Sequence, residues 1–165
     1  MRSPRLKVAQ GVGIYHCISR VVGGQFLIEE VEKEHLRKLL GLIADFCGVD
    51  VITYALLSNH FHLLIRLPAP APVSDAELLR RVRLLYPETS SYVQVITQDL
   101  RERGQISGEL RERLLRRMGD LSMYLKELKQ RYTRWFNRRH NRYGTLWAER
   151  FKSLVVEAEI GRAHV

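Results

Sequence analysis

The chain has 165 residues, 45% of them apolar and 27% charged, enough for one domain with a substantial core. Its net charge of +9 points to a polyanionic partner, most often nucleic acid. No apolar run reaches membrane-spanning length, no apolar signal segment follows the basic start, and two cysteines without CxxC spacing exclude a disulfide framework, so the expected setting is cytoplasmic with no membrane partner.

In chain order, residues 14–22 are rich in β-branched and aromatic side chains and predict a first strand, broken at Gly23-Gly24. Val31, His35, Leu36, Leu39, Leu40, Leu42, Ile43 and Phe46 recur at helical spacing and predict a helix over 31–47, ended near Gly48. Residues 50–57 and 60–67 read as two strands joined at Ser58-Asn59, the second stopped by Pro68, Pro70 and Pro72. Ser74-Asp-Ala-Glu77 has the form of a capping box. Residues 74–118 then read as short charged helices interrupted at Pro87, Gly104 and Gly108, a helical insertion. Asp120 can cap a helix over 121–139, with Leu121, Tyr124, Leu125, Leu128, Tyr132, Trp135 and Phe136 on its buried side. Residues 150–157 predict a last strand. The sum is an α+β, ferredoxin-like β-α-β-β-α-β sandwich with an inserted helical arm.

Within the third strand, His60-Phe61-His62 carries the sharpest chemical signal. Side chains alternate faces along a strand, so His60 and His62 point the same way and Phe61 the other. Two imidazoles so placed can share one divalent ion, and histidine is the commonest metal ligand. Spacing alone leaves a second reading open, in which both rings are satisfied by ordinary hydrogen bonds.

Residues 126–152 hold nine cations against Glu127 and Glu149, so this segment carries most of the excess positive charge. Aromatic residues are interleaved with the cations, a texture suited to phosphates and exposed bases. Trp135 and Phe136 are assigned to helix packing. Arg138, Arg139, Arg142 and Tyr143 are assigned to nucleic acid, with Asn141-Arg-Tyr-Gly144 forming an exposed turn.

Four segments taken together resemble the single-tyrosine transposases of the HUH nuclease class, in the REP-associated tyrosine transposase branch. They are Tyr15-His-Cys-Ile-Ser-Arg20, Tyr54-Ala-Leu-Leu-Ser-Asn-His-Phe-His-Leu-Leu-Ile65, Tyr132-Thr-Arg-Trp-Phe-Asn-Arg-Arg-His140 and Gly144-Thr-Leu-Trp-Ala-Glu-Arg-Phe-Lys152. They run in the family's order over nearly the whole chain. The resemblance implies an enzyme that cuts one strand of DNA, often beside a hairpin, through a tyrosine that attacks the scissile phosphate. It implies that His60 and His62 hold magnesium or manganese, and that Arg20, Arg138, Arg139 and Arg150 fall in regions used for DNA. The partner implied is single-stranded or hairpin DNA, and a homodimer is compatible with it.

The family's nucleophile belongs on a helix after the final strand, in a stretch resembling Tyr-Ile-x-x-Asn-Pro. No such stretch follows Val155, and Tyr15, Tyr54, Tyr86, Tyr92, Tyr124, Tyr132 and Tyr143 all lie elsewhere. Residues 160–165, Ile-Gly-Arg-Ala-His-Val, read as a translated sequencing-library adapter. Residues 1–159 are therefore expected to be a transposase domain lacking its nucleophile helix, inactive as it stands. The alternative function is a non-catalytic module that binds single-stranded or hairpin nucleic acid. A two-histidine RNA phosphodiesterase is disfavoured, because no histidine heads a His-x-Ser/Thr motif.

Overall fold

Period-2 patterning produces one antiparallel sheet in the computed structural model, which describes residues 13–148 and 151–158. Its strands are β1 (Gly13–Arg20), β2 (Asp50–Leu56), β3 (His60–Leu67) and β4 (Lys152–Ala158), in the order β2-β3-β1-β4. Five helices accompany them: α1 (Glu30–Cys47), α2 (Asp75–Leu85), α3 (Ser91–Arg103), α4 (Gly108–Leu115) and α5 (Leu121–Arg139). With α1 between β1 and β2 and α5 before β4, this is the expected α+β sandwich. The strand order is that of a split βαβ unit.

One sheet face makes the core. Tyr15, Cys17, Phe61, Leu63 and Ile65 join Leu36, Leu40 and Ile43 of α1 and Tyr124, Leu128 and Tyr132 of α5 in a single buried cluster. Strand alternation places Ile14, His16, Ile18, Arg20, His60, His62 and Leu64 on the other face, outside that cluster. Two phenols bolt α5 to α1: Tyr124 donates to the Leu40 carbonyl (3.2 Å) and Tyr132 to the Glu32 carbonyl (3.3 Å). Cys17 and Cys47 are buried and form no disulfide, as expected. Burial pushes the Cys47 thiol up to about 12, so it is inert.

Local chemistry sets the element ends. Gly48 closes α1 in the left-handed region at φ +66°, where a side chain is strained. The Ser74 hydroxyl accepts from the Glu77 N–H (3.2 Å) and the Asp120 carboxylate from the Met123 N–H (2.9 Å), so both expected caps are present. The first strand stops two residues short of its predicted end, because Gly23 and Gly24 both turn at φ +65°. Gly108 is a correction: it begins α4 instead of interrupting a helix, and the break is at Gly104, with φ +71°.

The insertion lies against the body of the domain. Its buried Leu78, Val82, Val93, Ile96, Leu110 and Leu114 belong to the same core cluster. Arg117 fastens it, donating to Glu127 (2.6 Å) and to the Tyr86 hydroxyl (2.9 Å) while its guanidinium lies 4.7 Å from the Phe46 ring centre. Arg111 binds the Asp75 carboxylate and the Val73 carbonyl. Among the described residues no helix is long and apolar enough to cross a membrane.

Candidate nucleic-acid interface

The β1–β3 register assembles the site on the sheet face away from the core. Arg20 lies opposite His60, Ile18 opposite His62, and His16 opposite Leu64. His16 is thus one step diagonal from His62, within reach for a ring. The two rings lie edge to edge, with centroids 5.2 Å apart and planes 11° from parallel. His16 Nε2 is 3.0 Å from His62 Nδ1. His60 meets His62 edge-on, with centroids 5.1 Å apart, and its Nδ1 is 2.6 Å from Asn59 Oδ1. Partial burial, then the charges of His60, His16 and Arg20, lowers the pKa of His62 and favours its neutral ring. As expected, Phe61 points to the opposite face and is fully buried.

The end of the sheet carrying His60 and Arg20 continues into the segment after α5. The Val22 N–H donates to the Leu146 carbonyl (2.9 Å), the Ala148 N–H to the Arg20 carbonyl (3.0 Å), and Val21 bridges Trp147. The loop that leads there, with Asn141 at φ +47° and Gly144 at φ +84°, is the expected tip. Tyr143 stands 88% exposed on it, open to stack on a base.

The cations assigned to nucleic acid separate by environment. Arg20 and Arg138 are exposed. Arg139 donates to the buried Glu32 carboxylate (3.2 Å), which His140 also approaches (3.0 Å), so it is engaged within the fold. Arg142 is half-buried. Arg150 and residues 160–165 lie outside the described residues.

A groove of about 870 Å³ runs along the outer side of α5 and was not singled out from the sequence. Lys126, Lys129, Gln130 and Arg134 line one wall, Trp147 and Phe151 the other, and among the described residues no acidic side chain borders it. Lys126, Lys129 and Arg134 follow helical spacing, so the signal was present; only the packing of Thr145, Trp147 and Phe151 shows that a groove faces them. Lys129 lies 5.6 Å from the Trp147 ring centre.

All seven tyrosines are described, and none joins the histidines. Tyr15, Tyr124 and Tyr132 are buried in the core. Burial drives the phenols of Tyr124 and Tyr132 far above the ordinary tyrosine range, with neighbouring thiols and Glu32 respectively adding to it, so neither forms a phenolate. Tyr54 pairs with Leu63, on the core side of the sheet. Tyr86 and Tyr92 pack on each other in the insertion.

No family model and no curated protein matches the chain. Several solved chains do match it, two of them transposase structures. A REP-associated tyrosine transposase bound to a REP hairpin superposes with a TM-score of 0.55 at 12% identity, over 95% of this chain and 63% of that one. The likeness establishes a shared fold. A provisionally assigned transposase from Deinococcus radiodurans superposes at 0.49, with 16% identity, over 95% of this chain and 87% of that one. The fold expected from the four sequence segments is therefore the fold found, and the chain spans less than two thirds of the hairpin-bound protein's length.

The fit of the imidazole cluster to a metal ion depends on its donor atoms. Among the described residues no group of three or more His, Cys, Asp or Glu side chains is arranged to hold an ion. His16 is engaged by His62, which leaves His60 and His62 as a two-nitrogen donor set. Such a set fits a cation that keeps most of its water or takes oxygens from a bound phosphate.

Proposed function

We propose that this chain is the DNA-binding and metal-holding body of a transposase-like, single-strand DNA nuclease. One observation carries the reading: a histidine pair and an exposed arginine stand side by side on a sheet face outside the core, in a fold shared with a protein solved on hairpin DNA. His60 and His62 would hold a magnesium or manganese ion, with manganese better matched to imidazole nitrogen. When bound, the ion supplies Lewis-acid polarisation of a phosphate oxygen. Arg20, paired across from His60, neutralises the phosphate beside it. Tyr143 stacks on an unpaired base at the tip. Arg138 and the cations of the α5 groove hold the backbone by charge, and all of these serve single-stranded or hairpin DNA. The covalent step needs a tyrosine oxygen in line with the held phosphate, which no buried or core-side tyrosine here can supply.

The test uses the 165-residue chain with labelled hairpin DNA carrying a single-stranded flank. Manganese should tighten binding in the parent and have no effect after His60→Ala with His62→Ala. Tyr143→Phe should leave binding nearly intact and Tyr143→Ala should weaken it several-fold. A manganese response that survives the double histidine replacement overturns the metal assignment. A covalent band on a denaturing gel that vanishes in Tyr143→Phe would make Tyr143 the nucleophile and end its assignment as a stacking group. The non-catalytic module remains the second reading, and it predicts binding indifferent to both the metal and the histidines.

A further inference from the structure

We propose that Asn59 and His16 are positioning residues that set the tautomers of His60 and His62, so that each ring turns an Nε2 lone pair toward a divalent cation. The inference rests on the metal reading above and adds two residues that reading does not use.

The argument for Asn59 follows from what each atom can donate or accept. Its Nδ2 lies 3.3 Å from the Gly24 carbonyl oxygen, which only accepts. That contact fixes the amide orientation and turns Oδ1 toward His60 Nδ1, at 2.6 Å. An amide oxygen also only accepts, so His60 must carry its proton on Nδ1. Nε2 is then the bare nitrogen. The backbone braces the arrangement: the Asn59 carbonyl accepts from the Val21 N–H (2.8 Å), and the Leu57 N–H donates to the His60 carbonyl (2.9 Å). Asn59 therefore does more than make a turn.

His62 and His16 share one proton between His62 Nδ1 and His16 Nε2, 3.0 Å apart. If His16 donates, the neutral His62 ring carries its own proton on Nε2 and has no lone pair there. If His62 donates, its Nε2 is bare, on a ring that shares a sheet face with His60. Only the second arrangement binds a cation through His62, because Nδ1 is occupied in both. His16 is then the acceptor that a ligating imidazole ordinarily finds in a carboxylate or carbonyl. The two rings lie edge to edge in nearly parallel planes, 11° apart, the alignment an in-plane N–H···N bond needs.

The test has two arms on the whole chain. In the first, long-range proton–nitrogen correlation spectra of the metal-free protein report which nitrogen of each ring is protonated. His60 should show the Nδ1–H form, and Asn59→Ala should lose it. A parent His60 protonated on Nε2 overturns the proposal whatever the metal does. In the second, manganese affinity is read by electron paramagnetic resonance. Asn59→Ala and His16→Phe should each weaken it about 10- to 100-fold, the effect typical of losing such a partner. His16→Phe keeps an aromatic ring and removes the acceptor, whereas His16→Gln restores an acceptor and should recover much of the affinity. Unchanged affinity in His16→Phe, with backbone spectra like the parent's, overturns the role of His16. A parent that shows the His60 Nδ1–H form but binds no manganese overturns the metal reading, and this proposal with it.

Discussion

Glu32 is the residue on which the packing of α1 against α5 turns. It is 3% exposed, its backbone carbonyl accepts from Tyr132, and its carboxylate faces Arg139 and His140. Burial acts to raise its pKa, but hydrogen bonds from its own backbone, from His140 and from Arg139 outweigh that and hold it below the ordinary value of 4.5. The folded state thus binds this proton more weakly than the unfolded chain does. Its contribution to stability is complete above the ordinary glutamate range and is lost as pH falls through the depressed folded value. Glu32→Gln should cost about 1–3 kcal/mol at neutral pH, from a buried site left partly unpaired, and should flatten the acid side of a stability-versus-pH curve. A chemical-denaturation series from pH 7 to pH 3 checks both. Nothing in the sequence marked Glu32, since an acid in the first turn of a helix is ordinary there. The ion pair of Glu32 with Arg139 was equally hidden: the two lie more than a hundred residues apart and only the fold brings them together. His16 escaped similarly. Its alternation was readable, but its partner depended on strand register.

At the scale of elements, the caps and the insertion carry testable weight. Asp120→Ala removes the acceptor of the Met123 N–H and should destabilise α5 by about 1 kcal/mol. Arg117→Ala should cost more, about 1–3 kcal/mol, because it strips a partner from the half-buried Glu127 and the donor from Tyr86. Glu127 retains Arg131 at 3.1 Å, which keeps the loss below that of a fully orphaned charge. Thermal melts of the two variants should rank Arg117→Ala as the less stable. Most elements were legible in the sequence because period and punctuation agreed. α1 ends at its glycine, α5 begins after its aspartate, and β3 spans the predicted 60–67. The docking of the insertion was not legible. Its helices carry so many charges that they read as a projecting arm, while one apolar residue per turn was enough to seat them. The groove beside α5 was hidden for a related reason, since a cationic stripe shows a face but not what stands across from it.

At the scale of the molecule, the positive charge is distributed along α5 and the tip that follows it, so affinity for DNA should depend steeply on salt. Replacing Lys126, Lys129 and Arg134 by alanine should flatten the slope of log affinity against log salt by about 2, if all three meet phosphates of a single strand. An unchanged slope would move the binding track elsewhere. The sheet order described above also dictates a sequence of events in time. β2 and β3 are joined by a short turn and can pair almost at once, whereas β4 must find β1 from far along the chain, with Gly13 meeting Ala158 across nearly the whole described chain. Closing so long a loop is slow, and β4 gains only one neighbour from it, because it is an edge strand with Leu154, Val155 and Val156 left exposed. The last strand to arrive should therefore be the first to leave. Amides of Lys152–Val156 should exchange with solvent well before those of Phe61–Ile65, and β4 can detach while the histidine-bearing pair of strands stays intact.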